Sequence, residues 1–259
     1  LSPTTPEADA SRLVILPSYN SGSLLACTAR EVLEVWRPVH VIIDGSTDGS
    51  AEEVRSISDA GLKVRVLEKN GGKGSASLVA MREALDAGFT HALIMDADGQ
   101  HPVDQIRSFM ELSKKHPEAM ILGVPIFGPD APVERVKGRR VGNAFAEIET
   151  LGGGIRDSLF GFRLYPLAPS VRIMESISTA RGFDFDTELA VRLFWSGVRP
   201  INVPVRVFYP KREAGGVTHF RYLRHNLLLA GTHTRLCLGM IIRIAKVWAL
   251  RQKWLKEKS

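Results

Sequence analysis

Cysteine is almost missing from this chain of 259 residues: Cys27 and Cys237 stand far apart and form no CxxC pair. Neither a disulfide framework nor a cysteine-ligated zinc is indicated, and a reducing, cytosolic setting is expected. The Pro- and Thr-rich opening, residues 1–10, shows no basic-then-apolar leader and reads as a flexible end. No uninterrupted apolar run reaches the roughly 18 residues that a spanning helix needs, so a transmembrane segment is not expected. Internal repeats are lacking too. Acidic residues are scarce near the C-terminus: residues 211–259 hold eleven Lys and Arg against two Asp and Glu, leaving 23 against 26 for residues 1–210. A slightly acidic body thus carries a strongly basic tail, a pattern that attracts anionic lipid, nucleic acid or an acidic partner.

What is present is enough apolar content for a core. With 44% hydrophobic residues the chain reads as one large α/β domain with at most an appendage, and overall disorder is excluded. Residues 12–123 alternate short β-rich runs with stretches of helical spacing. Strands are predicted at 12–16, 40–44, 64–68, 91–95 and 120–123, and helices at 23–36, 51–60, 75–87 and 103–115. That is the pattern of βαβ units around a mostly parallel sheet, whose ligands bind where strands end and helices begin. Past a Pro/Gly-rich loop at 123–130 the alternation fades.

Four successive strand ends carry polar or glycine-rich motifs: Pro17-Ser18-Tyr19-Asn20, then Asp44-Gly45-Ser46-Thr47-Asp48-Gly49-Ser50, then Asn70-Gly71-Gly72-Lys73-Gly74, then Asp96-Ala97-Asp98-Gly99-Gln100-His101-Pro102. Asp96 and Asp98, one residue apart at a strand end, both reach a hard cation if the backbone between them turns, and Gln100 adds a neutral oxygen. Mg²⁺ or Mn²⁺ held by few protein oxygens and by substrate phosphates suits such a set. The alternative is a turn whose aspartates cap the following helix. Tyr19 offers a face for stacking on a base, and Asp44 offers acceptors to base or ribose, although its motif is also ordinary turn chemistry. The run around Lys73 lacks the spacing of a Walker loop; either Lys73 contacts the nucleotide or the run is a surface turn.

Taken in order with Asp157-Ser158-Leu159-Phe160-Gly161-Phe162-Arg163 and Phe185-Asp186-Thr187-Glu188-Leu189, these motifs resemble the family 2 glycosyltransferases of GT-A fold. Within them the chain looks like the dolichyl- and polyprenyl-phosphate mannosyltransferases, and is similar to the glycosyltransferases encoded with bacterial aryl-polyene pigments. The likeness spans about residues 12–220, and its specificity lies in the ordered set. It implies a divalent ion on Asp96, Asp98 and Gln100, and a nucleotide-sugar donor among Pro17, Tyr19, Asn20, Asp44, Ser46, Lys73, Asp96 and Ala97. It also implies that Arg163 lies in the acceptor half of the cleft. Ile43 stands where many members have a first of two adjacent carboxylates, and Thr218-His219-Phe220 where polyprenyl-phosphate transferases often have Ser-Lys. His219 is therefore a candidate for the ion or the diphosphate, against an ordinary loop histidine.

Transfer from a nucleotide diphosphate needs the leaving group neutralised, which a dication on Asp96 and Asp98 accomplishes. An alcohol acceptor also needs a general base, for which Asp186 or Glu188 is the candidate; a lipid phosphate, already ionised, does not. Asp98, Asp186 and Glu188 are thus the expected catalytic residues, with single-displacement inversion implied by the resemblance. Arg139, in a basic cluster with Arg135, Lys137 and Arg140, is expected to contact donor or acceptor phosphate, the alternative being a solvated surface.

Residues 11–218 form the expected catalytic domain and 219–259 an amphipathic helical tail. With Trp248 and Trp254 and a positive face, that tail suits an anionic bilayer surface, which makes the expected acceptor lipid-linked or lipid-like and the enzyme peripheral on the cytoplasmic face. Packing of the tail on the domain or on a twin subunit, as a homodimer, is the alternative; nucleic acid is not an expected partner. Two other functions compete. A nucleotidyltransferase would carry a glycine-rich, basic loop after its first strand, where Pro17-Ser18-Tyr19-Asn20 has none. A non-catalytic membrane module would lose its only activity with the tail.

Overall fold

The computed structural model describes residues 7–128, 133–207 and 222–256. A short parallel pair, β1 (Glu7–Ala8) and β3 (Trp36–Arg37), accompanies a seven-stranded sheet. Its first half is parallel: β2 (Arg12–Ser18) lies between β4 (Val39–Asp44) and β6 (His91–Ile94), with β5 (Leu62–Leu67) at the edge. Every residue of β2, β4 and β6 is buried, the pattern of parallel strands covered on both faces. On the edge strand β5, Lys63 and Arg65 point out to solvent.

Alternate residues of these strands feed two separate apolar layers, as the two-residue period of a strand requires. Leu13, Ile15, Ile42 and Ile94 pack with α3 (Lys73–Asp86), α6 (Leu167–Glu175) and α7 (Phe185–Ser196). Val14, Leu16, Val41, Ile43 and Leu93 pack with α1 (Ser23–Val35), α2 (Ser50–Arg55) and α4 (Ile106–Lys115). Two predicted helices are shorter than their patterns. The segment read as 51–60 stops at Arg55, where the Ser56 hydroxyl folds back on the Glu53 carbonyl. The segment read as 103–115 opens with a 3₁₀ turn, Val103–Gln105.

The alternation fades past residue 123 because the sheet changes direction. After β7 (Ala119–Ile126) and α5 (Val133–Glu149), β8 (Arg163–Pro166) inserts antiparallel between β6 and β7, and β9 (Arg199–Arg206) then lies parallel to β7. This insertion places the loop before β8 beside the end of β6, where Asp96 and Asp98 sit.

The tail folds as α8 (Tyr222–Ile242) and α9 (Ile244–Lys256), bent by 90° to one another. It packs on the body: α8 lies on α5 and α7, α9 lies on α7, and Leu236, Met240, Val247 and Trp254 join the apolar layer of α3, α6 and α7. Its outer side keeps Leu238, Ile241, Ile242, Ile244 and Trp248 exposed. No single helix among the described residues is long and apolar enough to cross a bilayer.

Candidate active site

Three loops at the carboxyl edge hold each other through backbone amides. Asn20 N–H donates to Ser46 Oγ (2.9 Å), Thr47 N–H donates to Asn20 Oδ1 (2.8 Å), and Gly22 N–H donates to Asp48 (2.7 Å), which stitches the turn after β2 to the turn after β4. Tyr19 projects from this seam with 37% exposure, while Pro17 is buried within β2. The Asp44 carboxylate, expected to offer acceptors to base or ribose, is buried and accepts N–H bonds from Gly71 (2.9 Å) and Gly72 (2.7 Å), so it moors the glycine loop. Burial raises the Asp44 carboxyl above its ordinary value, and the two amide bonds oppose that. Gly72, at φ +91°, brings the loop against the Arg181 carbonyl, where a Cβ has no room.

The loop delivers Lys73, the first residue of α3, into the interior. Its ammonium lies 2.7 Å from Asp96 Oδ1 and 2.7 Å from Asp186 Oδ2, joining the end of β6 to the first turn of α7. Burial works against the charged lysine, but the two carboxylates outweigh it and raise the ammonium's pKa. Burial alone would raise the Asp96 carboxyl; the adjacent Lys73 and, less directly, His101 hold it below its ordinary value. Asp98 goes the other way, pushed up to about 6 by burial and by the negative charge of Asp96. Asp98 Oδ1 also accepts the Gln100 N–H at 3.0 Å within the turn, but neither aspartate caps the 3₁₀ turn or the helix that follows, the alternative reading of the pair. Ala97 between them is buried.

A cavity of about 60 Å³ opens beside this cluster, bordered by Asp96, Asp98, Gln100, His101, Arg139 and Gly161 among others. Arg139 is held there by Asp157, Nη1 to Oδ1 at 2.7 Å, and Asp157 in turn accepts the N–H groups of Leu159 (3.0 Å) and Phe160 (2.7 Å). The side chains of Arg135 and Lys137, and the whole of His219, lie outside the described residues.

Two expected site residues stand elsewhere. Arg163, expected in the acceptor half of the cleft, is fully buried and donates to the carbonyls of Phe160, Asp157 and Asp186 and to the Tyr165 hydroxyl. It is a strut that fixes the loop before β8 to the start of α7, because a fully buried guanidinium must spend its N–H groups on internal acceptors. Glu188, two residues beyond Asp186, falls on a different side of α7 and pairs with Arg192 (2.7 Å) and with Arg235 of α8 (3.0 Å), closing an α7–α8 latch away from Asp96. Of the two carboxylates read as candidate bases, only Asp186 is in the cluster.

The ordered loops, with Lys73, Asp96 and Asp98 but not Asp186, sit within a region, residues 13–173, that matches the model of Glycosyl transferase family 2. The chain belongs to that family. Among its relatives are the polyprenol monophosphomannose synthase of Mycolicibacterium smegmatis, 26% identical over 82% of each chain, and the undecaprenyl-phosphate mannosyltransferase of Micrococcus luteus, 25% identical over 78% of this chain and 85% of that one. The fold is similar to that of S. aureus TarS in complex with UDP-GlcNAc, with a TM-score of 0.51 at 17% identity; the match covers 80% of this chain and 62% of that one.

In this glycosyltransferase, sequence reading passed over two residues of the site. Gly161 leaves room for no side chain, since a Cβ there would stand 2.5 Å from Asp96 Oδ2 and 2.6 Å from Lys73 Nζ. His101 is buried against Phe160 and Phe162, and its Nδ1 accepts the Asp96 N–H at 3.0 Å, which puts the ring proton on Nε2, 3.8 Å from Asp96 Oδ2. Burial drops its pKa to about 4, so the ring is neutral at pH 7. Both residues belong to motifs noted in the sequence, but only their contacts reveal the role.

Proposed function

We propose that this family 2 enzyme transfers a sugar from a nucleotide-diphosphate donor to a lipid phosphate, with a divalent ion, and inverts the anomeric centre. The observation that carries the reading is the Lys73 cluster. Asp186, the one candidate base in the cluster, is buried, is not among the residues that border the cavity, and has Oδ2 tied to the Lys73 ammonium at 2.7 Å. A general base must come within hydrogen-bond reach of the hydroxyl it deprotonates, and a carboxylate buried behind the lysine favours an acceptor that arrives ionised. The relatives named for polyprenol and undecaprenyl phosphate support the same acceptor class.

The donor set fits Mg²⁺ or Mn²⁺. Asp96, Asp98 and Gln100 border one cavity, and Asp98, pushed up first by burial and then by the charge of Asp96, belongs to a carboxylate pair whose charge a dication would offset. When bound, the ion supplies Lewis-acid neutralisation of the departing diphosphate. The chain's own residues do the remainder. Tyr19 and the Asn20–Ser46 seam offer a surface for the base and ribose, and Arg139, braced by Asp157, faces the cavity with a positive charge for phosphate. A phosphate oxygen of the acceptor then forms a bond to the anomeric carbon as the bond to the donor diphosphate breaks on the opposite side, and no protein base takes a proton.

Membrane contact follows from the tail. The exposed apolar residues at the α8–α9 bend stand among Arg243, Lys246, Arg251 and Lys253, which suits an anionic surface on the cytoplasmic face. The decisive test is Asp98→Ala. It should abolish metal-dependent transfer or hydrolysis of a nucleotide-sugar while leaving thermal unfolding cooperative; undiminished activity refutes the reading.

A further inference from the structure

Lys73 places a cation on a carboxylate that the proposed function gives to a metal. The Lys73 side chain is only 10% exposed and its ammonium touches both Asp96 and Asp186, whereas the Asp96 side chain, which borders the cavity, is 34% exposed. Asp186 Oδ1 is buried without a hydrogen-bond partner, which leaves Lys73 as its one ion-pair partner among the described residues. Take the ammonium away, and Asp96 and Asp186 face each other across the gap it filled. Leave it in place, and an incoming dication meets a positive charge already seated on Asp96 Oδ1.

We propose that Lys73 is an internal counter-cation of the donor-free enzyme. It shields Asp96 from Asp186, weakens the binding of a divalent ion on its own, and turns to the donor's diphosphate when that arrives, so that ion and donor bind synergistically. The long, flexible lysine stem permits this movement, and a compact ammonium serves carboxylate and phosphate equally well. Linkage makes the effect reciprocal: whatever factor the donor adds to the ion's affinity, the ion adds to the donor's. The inference rests on the metal reading above, and its test separates the two.

Mn²⁺ alone is titrated into the full chain by calorimetry and by loss of the free-ion EPR signal, for wild type, Lys73→Met, Lys73→Gln, Lys73→Arg and Asp98→Ala. The two neutral lysine variants should bind Mn²⁺ at least tenfold more tightly than wild type, with Lys73→Arg close to wild type. Mn²⁺ should also raise the melting midpoint of the neutral variants more than that of wild type, a readout that holds even where one of them is too unstable for calorimetry. Neutral variants that bind Mn²⁺ no more tightly than wild type, in a protein whose Asp98→Ala variant loses binding, overturn the role of Lys73 and leave the metal site standing. Mn²⁺ binding indifferent to Asp98→Ala overturns the metal reading, and this proposal with it.

Discussion

Lys73 and Asp186, 113 residues apart, meet at 2.7 Å and join the glycine loop after β5 to the first turn of α7. Glu188, two residues beyond Asp186 and on a different side of α7, serves the α7–α8 latch instead. The two carboxylates should therefore fail differently. Asp186→Asn is expected to unseat Lys73 and so lower kcat on the order of 100-fold, the cost of misplacing a site group by about 1 Å, with a small change in melting. Glu188→Gln is expected to cost about 1–3 kcal/mol in urea unfolding, with kcat little changed, because it strips a buried partner from two arginines. Equal kinetic losses in both variants would contradict this division.

Gly161→Ala tests the closeness of the loop before β8 to the ion pair. The added methyl would press on Asp96 Oδ2 at 2.5 Å and Lys73 Nζ at 2.6 Å, so one of them must move. Since misplacement by about 1 Å costs on the order of 100-fold, turnover should fall by that factor while the enzyme remains folded by circular dichroism. Wild-type turnover in this variant would show that the pair is not held as described.

His40 sets a pH dependence of stability that is separate from the site. Its side chain is 3% exposed and its pKa falls from 6.5 to about 4, chiefly through burial and then through Lys63, against the pull of Glu83 at 3.6 Å. With the folded value below the unfolded one, the unfolded chain binds more protons between those two pH values. Stability is therefore complete above pH 6.5 and is lost as pH falls toward 4, by about 3 kcal/mol for this residue. His101, shifted in the same direction, adds to the wild-type slope. Urea midpoints at pH 7 and pH 5 should converge in His40→Gln relative to wild type; an unchanged gap would remove His40 from the account.

The bend between α8 and α9 presents Ile242 at 81% and Trp248 at 54% exposure. Cosedimentation with vesicles containing phosphatidylserine should show binding that weakens with salt, and Ile242→Ser or Trp248→Ala should each reduce it by about tenfold, the effect of roughly 1.4 kcal/mol of lost apolar burial. Salt-independent binding, or variants that bind as wild type, would point away from a bilayer partner.

Much of this protein is local and was readable in the chain. Continuous apolar runs at β2, β4 and β6, with glycine and polar residues at their ends, specify parallel strands and ligand-binding edges, because burial on both faces and tight turns are properties of a few neighbouring residues. The ordered motifs likewise located Asp96, Asp98, Lys73 and Asp186. Tertiary structure alone decided their partners. Antiparallel insertion of β8 brings Gly161 onto Asp96, and the direction of α7 turns Asp186 inward and Glu188 toward α8. Full burial makes Arg163 a strut, and the docking of α8 and α9 leaves only part of a basic, apolar tail facing out. These outcomes depend on which distant surfaces meet, and a pattern with a period of two or four residues carries no information about a contact made across a hundred.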